Sequence, residues 1–256
     1  MTMKLTRFIH NTDPHYGMVD NGKVYPLAGT IFDKPIREGG GYPLREVTLL
    51  CPVFPSKAIC LGLNYKDHAE ELNIIVPENP AFFMKPSSAV IGTGDQIIYP
   101  KELVTQMDYE GELAVVIGKK ARYIGEEEAS QYILGYTIAN DVTARNLQPK
   151  HGQWTISKSF DTFLPVGPWV ETKIDPSGLN ITLTVNGEVK QRSNTSEMIF
   201  SIPAIVSYLS KVMTLYPGDI ILTGTPSGVG PLHSGDTVRV EVEGIGYLEN
   251  DVVSEE

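Results

Sequence analysis

The amino-acid sequence predicts an α+β protein that is mostly β, with a small N-terminal β unit over residues 1–52 and a larger unit over residues 53–256. Three features lead to this class. Strand-like segments outnumber helical ones, several meet at tight turns such as Asn186-Gly187, and strand and helix do not alternate as a parallel βαβ sheet requires. With 256 residues, 41% of them hydrophobic and 20% charged, the chain can bury a substantial core and fills one or two domains.

The elements follow in order. LTRFIH, the turn Asp20 to Gly22 and KVYPLAG read as short strands, closed by a Gly-rich loop at Gly39 to Gly41. After Pro52 the texture changes. A buried-looking run, Ala58 to Leu63, leads into NYKDHAEELN, where Asn64 is the expected N-cap of a short charged helix. AFFMKPSSAVIG is strand-like, and YEGELAVVIGK is so dense in apolar and β-branched residues from Leu113 to Ile117 that a buried strand is expected. EEEASQYIL, acidic at its start, predicts a helix, and GYTIAND a strand ending at Asp141. LNITLTVNGEVKQ predicts a hairpin, IPAIVSYLSKVM an amphipathic helix, and DIILTGTPSGVG a strand running into a Gly-rich turn. The final DTVRVEVEGIGYLENDVV alternates as a half-exposed sheet does.

Charge and composition narrow the function. Lys and Arg number 21 against 31 Asp and Glu, a formal net charge of −10, so a polyanion is repelled and nucleic acid is not an expected partner. The longest apolar stretches fall far short of the ~20 residues of a membrane helix, and the opening residues hold no apolar signal core, so no membrane partner and a cytoplasmic location are expected. Cys51 and Cys60 are too few for a disulfide framework and lack CxxC spacing, which fits a reducing compartment.

Glu110 and Glu112 stand two apart, so on a strand they share a face, roughly 6.6 Å apart along the backbone. Such pairs are most often solvated. This one adjoins the apolar run, where burial would make like charges costly unless a cation lies between them. Asp141, 29 residues after Glu112 at the end of a strand, is placed to add a third carboxylate. An all-oxygen set of this kind suits Mg²⁺, Mn²⁺ or Ca²⁺ better than zinc or copper. His68 has Glu71 one helical turn on, a general-base dyad in outline, although an exposed charged helix accounts for the same spacing. Lys158 and Arg145 are either ordinary ion-pair partners or the local cations that an acidic protein needs to hold an anionic substrate. GTPSGVG lacks the Lys of a P-loop, so a nucleotide is not expected; its backbone N–H groups and Thr225 make either a carboxylate cradle or a plain turn.

In this order LGLNYKDHAEE, FFMKPSSAVIG, YEGELAVVIGK, GYTIANDVTARNLQ, TISKSF and MIFSIPAIVSYLSKVMTLYPGDIILTGTPSGVG resemble the fumarylacetoacetate hydrolase family. The likeness runs from about Ala58 to the C-terminus and points to the branch of acylpyruvases, oxaloacetate decarboxylases and 2-hydroxyhepta-2,4-diene-1,7-dioate isomerases. It implies a mixed β-sandwich roll, a homodimer, and one Mg²⁺ or Mn²⁺ per chain held by Glu110, Glu112 and Asp141. It also implies a lid helix on which His68 activates water and Glu71 polarises it, substrate contacts from Lys158, Gln148 and Thr225, and support from Arg145. Two positions depart from the pattern. Leu63 stands where acylpyruvase-like members often carry an arginine, and Asn64 where the longer fumarylacetoacetase has an acidic ligand, so fumarylacetoacetate is not the expected substrate.

The expected reaction is hydrolysis of a carbon-carbon bond in a 2-keto acid substrate, a 2,4-diketo acid: water activated by His68 adds to the distal carbonyl, which becomes a carboxylic acid, and pyruvate leaves as an enolate that the metal would stabilise. Oxaloacetate decarboxylation and 2-hydroxy-dienedioate isomerisation would use the same groups. A metal-containing binding module without turnover is the non-enzymatic alternative.

Overall fold

The strand Gly111–Ile117 is buried along its whole length, and the rest of the fold is arranged about it. The computed structural model describes residues 3–11, 13–73 and 76–255. On one side of this strand lies Ile133–Asn140, on the other Ile220–Leu222, both antiparallel to it. Beyond Ile220–Leu222 come Ala58–Gly62, parallel, and Ala81–Lys85, antiparallel. In the other direction Ile133–Asn140 meets Leu164–Glu171, which meets Lys4–His10. The result is a 13-stranded sheet, accompanied by a 5-stranded and a 3-stranded one. The protein is mostly β, as the sequence predicts.

The apolar run is continuous because both faces of the strand are covered. Leu113, Val115 and Ile117 face one core, shared with Leu183 and Val240 of the 5-stranded sheet and with Leu209 of the helix Ile202–Val212. Ala114 and Val116, pointing the other way, face a second core with Leu5, Val53, Cys60 and Val166. The N-terminal segment, set off at residue 53 in the sequence, is joined to the rest through both sheet and core: Lys4 and Leu5 pair with Glu171 and Val170, and Leu5, Leu27 and Ile31 lie in the second core.

Several elements form as the sequence predicts. Asn186 and Gly187 both take positive φ, 53° and 80°, at the tip of the hairpin between Asn180–Val185 and Glu188–Asn194. Ser201 caps the helix Ile202–Val212 through its bond from the Ala204 N–H, and Ile202, Ile205, Val206 and Leu209 form its buried stripe. Three expectations change. Asn64 does not cap the following helix, Lys66–Leu72; its side chain accepts from the Phe200 N–H at 2.8 Å and donates to Thr223 O at 2.8 Å, tying the chain to two distant segments. EEEASQYIL gives a 3-10 helix, Glu126–Gln131, which ends where the sheet claims Ile133 onward. The strand before Asp141 ends at Asn140, one residue early.

Both cysteines are free and buried, and among the described residues no helix is long and apolar enough to cross a membrane. Truncating the central strand tests its place in the packing. Leu113→Ala is expected to cost about 2–5 kcal/mol of stability, read from urea unfolding followed by circular dichroism, whereas Glu241→Ala on an exposed strand position should change it by no more than about 0.5 kcal/mol.

Candidate active site

Three acidic side chains are brought together by the register of the large sheet. Gly111 pairs with Asn140, so the residues flanking these two meet at one end of the strands. Glu110 lies between Met107–Tyr109 of the 3-stranded sheet and Gly111–Ile117 of the large one, at the point where the chain passes from one to the other. Its N–H donates to Asn140 Oδ1 at 2.9 Å, and its carbonyl accepts from the Asp141 N–H at 2.8 Å. Gly111 is needed between the glutamates, since a Cβ there would sit 3.0 Å from Val240 and 3.1 Å from Leu183. Glu110, Glu112 and Asp141 each offer one carboxylate oxygen, all within 4.8 Å of one another and all buried. A solvated pair of glutamates is therefore not what the fold makes.

The protein supplies cations for two of the three. Lys158, from the short helix Thr155–Lys158, donates to Glu110 Oε2 and to Asp141 Oδ2, both at 2.8 Å. Lys85, fully buried, reaches Asp141 Oδ1 at 2.5 Å and Val142 O at 2.8 Å. Arg145 bridges Asp108 Oδ2 at 2.7 Å and Glu110 Oε1 at 2.5 Å, and also donates to Gln148 Oε1. Glu112 forms no ion pair among the described residues and accepts the Gly224 N–H at 2.6 Å. The consequences differ by residue. Burial raises the Glu110 carboxyl, but Lys158 and Arg145 overcome it and hold the group down at about 2. At Glu112 burial and the charges of Asp141 and Glu110 act together and push the carboxyl well above its usual range. Burial disfavours the Lys158 ammonium, yet Asp141 and Glu110 prevail and hold it above the ordinary lysine range, so Lys158 stays charged at neutral pH. An all-oxygen donor set in which one carboxylate, Glu112, has no cationic side-chain partner fits a hard divalent cation.

Facing this cluster is the helix Lys66–Leu72. His68 Nδ1 stands 3.0 Å from Glu71 Oε2, and Glu71 in turn accepts the Gly228 N–H at 3.2 Å. Asp67 accepts from Ser193 Oγ at 2.8 Å, so the helix is tied at two points to segments distant in the sequence. With a side chain only 13% exposed, His68 is not an ornament on a solvated helix. His68, Glu71, Glu110, Glu112, Arg145 and Lys158 line one cavity of about 850 Å³, and Gln148 and Thr225 line it too. Asp141 lies behind these, held by the two lysines. One wall is apolar: Phe83 lies 4.9 Å beneath the Lys158 ammonium and meets the edge of Trp154 at 5.4 Å. Gly62 makes room for that indole, because a Cβ there would come within 2.8 Å of it. Leu63, in the left-handed region at φ 57°, lines the same cavity.

Thr225 has a structural partner as well as a place in the cavity lining, and three further groups lie at the site. The Thr225 hydroxyl donates to Gly111 O at 3.0 Å and accepts from Gln191 Nε2 at 2.8 Å, so it braces the glutamate strand while lining the cavity. Lys85, Asp108 and Gln191 were not singled out. The signals existed: a lysine in an otherwise apolar strand, FFMK, and an acidic residue spaced from Glu110 as Glu110 is from Glu112.

A family profile described as Fumarylacetoacetate (FAA) hydrolase C-terminal matches residues 57–253, most of the chain. The protein belongs to the fumarylacetoacetate hydrolase family. A second profile, Rv2993c-like N-terminal, matches residues 3–52. Oxaloacetate tautomerase Fahd2a of Rattus norvegicus is 47% identical over 223 residues, covering 82% of this chain and 71% of that one. Among solved structures, 2-hydroxyhepta-2,4-diene-1,7-dioate isomerase from Mycobacterium marinum is 42% identical with a TM-score of 0.92, covering 99% of each chain. Maleylpyruvate hydrolase from Sphingobium sp. SYK-6 is 32% identical with a TM-score of 0.83, covering 99% of this chain and 100% of that one. As a fumarylacetoacetate hydrolase family member the protein is an enzyme, and its expected fold agrees with these neighbours.

The crowding at Glu112 has a measurable signature. In chelator the folded protein holds the Glu112 proton more tightly than the unfolded chain, whose carboxyl keeps its ordinary value of 4.5. Stability is therefore undiminished at or below that value and is lost as pH rises toward the raised one. Glu112→Gln is expected to flatten this loss as pH rises above 4.5, at about 2–4 °C in Tm per kcal/mol relieved, and to abolish the rise in Tm expected of the native protein with Mg²⁺. Thermal unfolding with Mg²⁺ and with chelator checks both; equal slopes in the two proteins would contradict the reading.

Proposed function

We propose that the protein is a divalent-metal-dependent enzyme that moves a proton between the keto and enol forms of a small 2-oxo acid. What carries this reading is that the His68–Glu71 pair, held at 3.0 Å, opens on the same cavity as the glutamates of the acidic triad and Lys158. Glu110, Glu112 and Asp141 would hold the ion, Mg²⁺ or Mn²⁺ at one per chain, which when bound supplies Lewis acidity to a substrate oxygen that gains negative charge. The remaining chemistry belongs to the side chains. Glu71 engages His68 Nδ1 and leaves Nε2 as the ring atom that takes a proton from the substrate carbon and returns it to a neighbouring atom. Lys158, charged and fixed by two carboxylates, presents a cation to the same developing negative charge without having to reorganise. Arg145 holds Glu110 and Gln148 in place, and the Phe83–Trp154 wall keeps one side of the substrate dry.

Relatives at 42–47% identity named as an isomerase and a tautomerase support proton transfer over the hydrolysis that the sequence alone puts first. Hydrolysis of 2,4-diketo acids stays as a second reading, favoured by a cavity of about 850 Å³, which has room for a water beside a small acid, and by the relative named as a hydrolase. The two separate in one set of assays. Decay of enol-oxaloacetate absorbance should be accelerated with Mg²⁺ and not with chelator, while pyruvate release from acetylpyruvate stays slow. His68→Ala should lower the tautomerisation rate about 10²- to 10⁴-fold. Rapid pyruvate release with no gain in enol decay would replace proton transfer with hydrolysis.

Lys158→Met is expected to reduce kcat about 10²-fold with a smaller change in KM, since its charge acts on the transition state more than on the bound substrate. Steady-state kinetics on the same enol substrate checks this; an effect confined to KM would assign Lys158 to binding alone.

A further inference from the structure

The cations lining the cavity are unequally committed. Arg145 is spent on Asp108 and Glu110, Lys158 on Glu110 and Asp141, and His68 is paired with Glu71. Lys150 lines the same cavity, is exposed, and forms no ion pair among the described residues. It stands in the loop between the 3-10 helix Arg145–Leu147 and the helix Thr155–Lys158, and that loop is anchored at both ends. Gln148 is held by Arg145, its N–H donating to Arg145 O at 3.2 Å, and Trp154 Nε1 donates to Pro149 O at 3.3 Å. Lys150 is thus an exposed lining residue on an anchored loop, while the acidic triad is buried.

The field makes such a group necessary for one class of substrate. Glu71, Asp108, Glu110 and Glu112 all line the cavity, in a protein of formal charge −10, so a substrate with two negative charges is repelled unless each charge finds a partner. A 2-oxo acid whose oxo-acid end is at the triad and Lys158 has its other end toward the mouth. The lining also holds the apolar Leu63 and Trp154, and among the described residues Lys150 is its exposed cation without an ion pair.

We infer that Lys150 is a specificity-determining residue that binds the distal carboxylate of the substrate, so that the enzyme selects 2-oxo dicarboxylic acids over 2-oxo monocarboxylic acids. This rests on the reading of the cavity as a 2-oxo acid site, and it adds the substrate class and the residue that reads it. Lysine suits the task as a flexible point charge that meets carboxylates at the ends of chains of different length.

The test reads binding, so that it stands apart from turnover. 2-Oxoglutarate and 2-oxopentanoate share a five-carbon chain and differ at the distal carboxylate. Calorimetric titration of the Mg²⁺-loaded native protein is expected to show the diacid bound about 10-fold more tightly than the monoacid, with the difference shrinking as salt is raised. In Lys150→Met the ratio of the two affinities should fall to about 1, and Lys150→Arg should restore most of it. A ratio near unity in the native protein, a ratio that survives in Lys150→Met, or no binding of either acid would overturn the assignment. A diacid preference that Lys150→Met abolishes, in a protein without tautomerase activity, would uphold Lys150 and remove the proton-transfer reading. Tautomerase activity with a native ratio near unity would do the reverse.

Discussion

Three carboxylates share one buried point in this protein, and the two lysines and the arginine beside them leave one of the three without a cationic partner. Glu110 and Asp141 are neutralised by side chains; Glu112 is met by a single backbone N–H. Like charges at this separation and depth raise one another's proton affinity, and the imbalance falls on the one group without a cationic partner. The strand register, the glycine between the glutamates and the two buried lysines all serve to maintain an arrangement that is unfavourable by itself. Strain of this kind is kept where a function uses it.

The architecture explains how the arrangement is tolerated. Because Gly111–Ile117 is covered on both faces, the glutamates at its start are backed by apolar packing on each side and cannot turn outward. The exchange of the chain between two sheets at Glu110 interrupts the ladder there, which frees a backbone position to aim a carboxylate rather than to propagate a strand. Gln191 and Thr225, reaching from other parts of the fold, satisfy the Gly111 backbone groups that the interruption leaves open.

Much of the fold and of the site was legible in the sequence, for identifiable reasons. The run Leu113 to Ile117 announced its burial through composition, and Asn186-Gly187 announced its turn because few other residue pairs accept two positive φ angles. The acidic triad and the His68–Glu71 pair were visible as spacings, and resemblance to a family turned spacing into expectation. What stayed hidden depends on long-range partners. Nothing near Asn64 in the sequence shows that its side chain will bond to Phe200 and Thr223 instead of its own helix, and nothing near Lys85 shows that Asp141 waits for it. Nor does the turn that carries Thr225, read alone, give any sign of the strand its hydroxyl braces.

The tether between Glu71 and the Gly228 N–H spans 157 positions of sequence, and the same carboxylate orients His68. One side chain thus serves as both latch and trigger. A movement of this helix that breaks the bond to Gly228 would also free the imidazole from its orienting partner, so under the proposed proton transfer opening and disarming would be one event.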